Sequence, residues 1–306
     1  MISSISQTEG NTRYTRRPPG YRLPDAAHLG RARLAVSNLQ RSVAFYSQII
    51  GLAVLAQSDD GTLVQLGSHG DARVLLELEA RPGVKPIGKR TRLGLYHTAF
   101  LLPSREALSS FVQHLAKRRF PFGSADHEVS EALYLTDPDG LTVEVYADRP
   151  RYSWPIGHGE IQGGVEPLRF HELPPVAPDS WQGAPSGTTL GHVHFFVGDL
   201  AQASAFYHAG LGLDHALWPL PSAMFLSAGG YHHHVGTNIW AAGSPVASEE
   251  DARLLFWELA LPDAAEIDRA AASLTAAGFA EAVTGAGQRT FADPWGIPVV
   301  LVASGA

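Results

Sequence analysis

Fourteen histidines and no cysteine set the terms for any chemistry this 306-residue chain can do. With no thiolate, a bound metal must take imidazole nitrogen and carboxylate oxygen, and a disulfide framework is excluded. The candidate donors sit in apolar, strand-like runs. His97 follows Leu95 and Tyr96, Glu144 lies in TVEVY, and His192 and His194 alternate in GHVHF. His232, His233 and His234 are consecutive, and His127 precedes Tyr134 by a short strand-like run. Two imidazoles and a carboxylate leave open positions on a divalent metal, and a further imidazole, titrating near neutral pH, can move a proton beside it. Taken alone, each residue is an ordinary core or strand residue. A site requires that the elements carrying them share a register.

Those elements repeat. GRARLAVSNLQRSVAFYSQIIGL at 30–52 and GHVHFFVGDLAQASAFYHAGLGL at 191–213 share their spacing: an alternating strand, a turn at Asn38 or Asp199, then a helix stopped by Gly51 or Gly212. Weaker copies begin at Leu93 and Leu254, each followed by an Asp-Pro-x-Gly turn, at Asp137 and Asp293, and an apolar strand. Each of the four units therefore reads strand, helix, then about three strands. The pairs Phe45-Tyr46 and Phe206-Tyr207 fall at helix-core spacing. The units divide into two tandem sequence domains, 28–148 and 189–304, joined by a Pro/Gly-rich linker or wrapping loop at 149–188. Residues 1–27 read as a poorly ordered N-terminal arm. If the three histidines lie in a strand, His232 and His234 share one face and His233 takes the other.

Composition narrows the partners. A net charge of −7 argues against nucleic acid and anionic membranes, and no apolar run is long enough to span a bilayer. The polar N-terminus lacks a secretory signal, so a cytoplasmic location is the default expectation. A small-molecule substrate and a closed homo-oligomer are the expectations that remain.

The four βαβββ modules of this α+β chain resemble the vicinal oxygen chelate superfamily of glyoxalases, bleomycin resistance proteins and extradiol dioxygenases, whose paired modules cup a metal. The likeness is nearest to two-domain catechol 2,3-dioxygenases. It is carried by DHEVSEALYLTDPDGLTVEVY at 126–146, which places His127, Leu133-Tyr134, Pro138-Asp139-Gly140 and Glu144 as in the extradiol signature, and by GGYHHHVGTNIW at 229–240. In that fold the ligands come from the first and last strands of a module. Seven residues before each helix-opening turn, the first-strand slot holds His97 and His192, but Arg31 and Phe256 in the other two units. Seven after the Asp of each Asp-Pro turn, the last-strand slot holds Glu144 in one case and Val300 in the other.

One triad can thus be assembled, His97, Glu144 and His192, with His194 the rival for the third place. It draws on the second and third units, which predicts that these share a cup while the first and fourth form a metal-free counterpart. The resemblance implies Fe(II), with Mn(II) accepting the same ligands, O2 and a catecholic substrate opened next to its diol. It implies His234 as acid/base, with Tyr134 and His127 hydrogen-bonding the substrate oxygen. The rival readings are a metal-dependent, glyoxalase-like isomerase or lyase and a non-catalytic small-molecule binder.

Overall fold

The computed structural model describes residues 15–157, 160–216, 220–282 and 288–304. Each unit folds as strand, helix and three strands. The leading strands are His28–Val36, Gly94–Leu101, Thr189–Phe196 and Arg253–Leu261. Each is followed by a turn residue whose side chain caps a helix: Asn38, Ser104, Asp199 and Asp263 accept the backbone N–H three residues on. The first, second and fourth helices are Leu39–Gln48, Arg105–Arg118 and Ala264–Ala276. The third, Leu200–Ser204, runs into a π-helical turn at Ala205–Gly210. Among the described residues no helix is long and apolar enough to cross a membrane.

The strands form two large sheets, and each draws on both halves of the chain. In the nine-stranded sheet, Gly94–Leu101 of the second unit pairs antiparallel with Thr189–Phe196 of the third, at its centre. In the eight-stranded sheet the same junction is made by His28–Val36 of the first unit and Arg253–Leu261 of the fourth. The pairing of units inferred from the ligand slots is the pairing observed. A continuous apolar core lies behind these strands, including Leu34, Phe100, Phe195 and Trp257.

The Phe-Tyr pairs pack in this core and do one thing more. Tyr46 Oη donates to Asp137 at 3.2 Å and Tyr207 Oη donates to Asp293 at 3.0 Å. Each aspartate also accepts two backbone N–H groups of its own turn, Asp139 and Leu141 in one case, Trp295 and Ile297 in the other. The helix of one unit thereby holds the turn that sets the last strand of the next.

One expectation needs correction. Residues 1–14 lie outside the described residues, but 15–27 are not a loose arm. Thr15–Arg16 extends the nine-stranded sheet, Arg22 pairs with buried Asp214 at 2.7 Å, and Leu23 is buried. The Pro/Gly-rich stretch between the halves wraps the surface, burying Trp154, Ile161 and Leu168. Its interspersed large apolar residues explain why it packs.

Candidate metal centre

The centre lies where the two middle strands of the nine-stranded sheet meet. On Gly94–Leu101, His97 points from the same face as Ala99, which is paired with both His192 and Glu144. That register, set by the caps and the Asp137 turn, brings three side chains to one point. His97 Nε2 lies 3.0 Å and His192 Nε2 3.2 Å from Glu144 Oε2, and the two nitrogens are 3.3 Å apart. All three residues are buried, and one ligand atom from each lies within 4.8 Å of the others.

Burial pulls both imidazoles below their ordinary pKa, which keeps them neutral at pH 7. Burial alone would raise the Glu144 carboxyl, but electrostatic attraction to and hydrogen bonds from His192 and His97 hold it well below its usual range. The result is a buried carboxylate facing two neutral nitrogen donors, a charge that is costly unless a cation meets it. The Nδ1 atoms of His97 and His192 have no hydrogen-bond partner among the described residues. If both Nε2 atoms carry protons for Glu144, the two N–H groups oppose each other and both Nδ1 lone pairs are stranded. A divalent cation accepts both Nε2 lone pairs and the Oε2 charge together, so the donor set fits a two-His, one-carboxylate metal.

His194 is not part of this cluster. Its ring lies over Gly236, where a Cβ would sit 2.7 Å from Nδ1, and Asn238 Nδ2 donates to its Nε2 at 3.0 Å. By strand pairing Gly236 is also the third unit's counterpart of Glu144: Ala99 pairs with Glu144 as His194 pairs with Gly236. The slot opposite Glu144 therefore has no carboxylate and no histidine.

In front of the cluster is a cavity of about 310 Å³ lined by His97, Glu144, Tyr134, His127, His194 and His233, with Tyr96, Phe225 and Trp240 as aromatic walls. Gly163, Gly164 and Val165 of the wrapping segment close one side. Tyr134 Oη and His127 Nε2 are 2.8 Å apart, and His127 Nδ1 lies 2.9 Å from the Gly164 carbonyl. A carbonyl only accepts, so Nδ1 donates there and Nε2 accepts from the tyrosine. Burial and the Glu144 charge raise the Tyr134 phenol well above its ordinary pKa, so it stays protonated.

His234 is not among the residues lining the cavity; His233 is. The strand here is Val235–Asn238, so the three histidines precede it and strict alternation does not apply to them. Gly229 and Gly230, at φ 61° and 66°, turn the chain just before. His234 instead accepts from the Ala228 N–H at 3.1 Å, and burial lowers its pKa to about 3. His233 lies tilted against His192, ring centroids 4.1 Å apart. Behind it, His232 Nε2 is 2.9 Å from Asp148 and His232 Nδ1 is 2.7 Å from His233 Nδ1. The carboxylate can only accept, so His232 donates from Nε2. With Nδ1 of His232 as the acceptor from His233, the His233 lone pair lies on Nε2, while burial pulls the His233 pKa well below its ordinary value. The Gly229-Gly230 pair was the legible sign that His232–His234 would leave strand geometry. Tyr96 and Trp240 carried no comparable signal.

The profile of the Glyoxalase/Bleomycin resistance protein/Dioxygenase superfamily matches residues 27–145 and 189–301. A protein of Bacillus subtilis (strain 168) named catechol-2,3-dioxygenase is 40% identical over 256 residues, 82% of this chain and 89% of its own length. Among solved structures, a proposed dioxygenase from Bacillus subtilis superposes with a TM-score of 0.64 at 13% identity, over 94% of this chain and 87% of that one. Glyoxalase I from Zea mays superposes with a TM-score of 0.56 at 18% identity, over 91% and 92%. Fold, unit order and sequence agree, and the chain belongs to the glyoxalase/bleomycin resistance protein/dioxygenase superfamily.

Proposed function

We propose that the protein is an extradiol ring-cleaving dioxygenase, in which His97, Glu144 and His192 hold Fe(II) and a catechol is opened next to its diol. The observation that carries this reading is the buried His-His-Glu cluster at the floor of an aromatic-walled cavity that also contains a histidine outside the ligand set. The 40% identity to a protein named catechol-2,3-dioxygenase supports it.

Fe(II) bound by three protein atoms would supply open positions for both catechol oxygens and O2, together with Lewis acidity. The chain's own residues do the rest. Tyr96, Phe225 and Trp240 offer flat apolar faces to the ring and exclude water. His233, its lone pair set on Nε2 through His232 and Asp148, takes a proton from a catechol hydroxyl and returns it to an oxygen of the ring-opened product. Tyr134, with its O–H directed to His127, presents an oxygen lone pair that accepts from and orients the other hydroxyl. His234, half-buried and outside the cavity lining, takes no part.

A glyoxalase-like isomerase would favour a second carboxylate, and Gly236 occupies that slot. A passive binder has no use for a buried anion facing two neutral imidazoles. The test is aerobic turnover of simple catechols by protein loaded separately with Fe(II) and Mn(II), read by the yellow ring-opened product and its mass gain of one O2. Product with Fe(II) supports the reading, and product with Mn(II) alone supports the ring cleavage but replaces the metal. Loaded protein that cleaves no catechol overturns it.

A further inference from the structure

The metal cavity does not end at its aromatic wall. A second cavity of about 490 Å³ shares Tyr96 and Tyr134 with it and is lined by Lys89, Arg90 and Arg92. Among the described residues no carboxylate lines it, although the chain as a whole carries a net charge of −7. Arg92 is answered by Asp251 at 2.8 Å. Lys89 and Arg90 have no ion-pair partner among the described residues. Arg90 is also held in place. Its backbone is left-handed at φ 56°, uncommon for a residue with a side chain, and its carbonyl accepts from Ser244 Oγ at 3.0 Å. The guanidinium lies over the Trp240 ring, 5.6 Å from its centroid, and Trp240 is a wall of the metal cavity. Burial and Glu144 raise the Tyr96 phenol while Arg90 opposes them, which puts the guanidinium within electrostatic reach of the residue dividing the two cavities.

Resting on the dioxygenase reading above, we infer that the physiological substrate is a catechol whose ring carries a carboxylate-ended substituent, with the ring in the metal cavity and the carboxylate paired with Arg90 and Lys89. Tyr96 and Trp240 pack edge-on with centroids 5.8 Å apart, so a ring seated against this pair, on the metal side, directs a substituent past Trp240 toward Arg90. The two exposed cations without partners then gain one. Both cations are partly solvated, so their contribution is a modest factor in affinity and falls with salt.

Binding tests this without requiring turnover. Calorimetry would compare para-hydroxyphenylacetate with para-cresol, two phenols of similar shape that differ in the carboxylate. The wild type should prefer the anion by about tenfold, the scale of one charge-assisted hydrogen bond. Arg90→Gln should remove most of that preference, Arg90→Lys should restore part of it, and half-molar salt should weaken only the anion. Melting curves of the variants establish that they fold. Equal binding of the two phenols by the wild type, or an equal loss for both in Arg90→Gln, overturns the inference. In turnover, the ratio of kcat/KM for dihydroxyphenylacetate over methylcatechol should fall about tenfold in Arg90→Gln. Failure to cleave either catechol would count against the dioxygenase reading, while the calorimetry would still decide the anion site.

Discussion

At the residue scale, the division of labour among the histidines is the sharpest result. His97 and His192 converge on Glu144, His194 is engaged by Asn238, His233 faces the cavity and His234 faces away. The account predicts that His233→Gln keeps its iron but loses about two orders of magnitude in kcat, the usual effect of deleting an acid/base group. His234→Gln should turn over at close to the wild-type rate. The two kcat values, measured with matched iron content, check this; a larger loss in His234→Gln would return the acid/base role to that residue. Asp148→Asn should also lower kcat, because an amide can donate to His232 and reverse the tautomers that set the His233 lone pair on Nε2. A kcat for Asp148→Asn equal to wild type would remove Asp148 from the mechanism. Sequence could place His97, Glu144 and His192 because each lies a fixed number of residues from a capped turn. The same reasoning put His234 rather than His233 on the cavity side, since alternation was applied to residues that lie outside the strand.

At the element scale, position is set by turns. Asp137 holds two backbone N–H groups and the Tyr46 hydroxyl, and seven residues later the strand delivers Glu144. Asp137→Ala strands three buried donors, so a loss of about 2 to 4 kcal/mol is expected. Asp137→Asn keeps an acceptor and should lose markedly less. Urea midpoints of the two variants check this, and equal midpoints would contradict it. The capped helices, the Asp-Pro turns and the four repeated units were legible because they depend on local chemistry: a side chain capping its own helix or a short turn. The packing of residues 15–27 and of the wrapping segment was not, because Leu23, Trp154 and Ile161 find their partners far along the chain. The segment's gift of Gly164 to the His127 hydrogen bond was hidden for the same reason.

At the scale of the whole molecule, two sheets of like topology carry unlike chemistry. In the eight-stranded sheet the slots of His97, Glu144, His192 and His194 are taken by Arg31, Glu77, Phe256 and Glu258. Arg31 bridges Glu77 at 3.1 Å and Glu258 at 2.9 Å, so guanidinium stands where a metal would neutralise the carboxylates. Glu77→Gln is therefore expected to reduce stability but leave iron content unchanged; loss of iron would contradict that separation. The histidine-rich cup also makes the metal-free protein sensitive to acid. Burial depresses His97, His192, His194 and His233 below the ordinary 6.5, so the stability of keeping them neutral is present above that pH and lost as the pH falls through their folded values. The urea midpoint of the metal-free protein should be lower at pH 5 than at pH 7, and lower by less in His194→Gln; equal wild-type midpoints would contradict this. The pairing of the second and third units was itself legible, because no other two units supplied a complete ligand set. The claim on which everything else depends is that His97, Glu144 and His192 bind one metal ion. It is tested most directly by the iron content of wild type and Glu144→Ala after identical anaerobic loading and desalting: about one iron per chain falling to near none is the prediction, and equal iron in both proteins would contradict it.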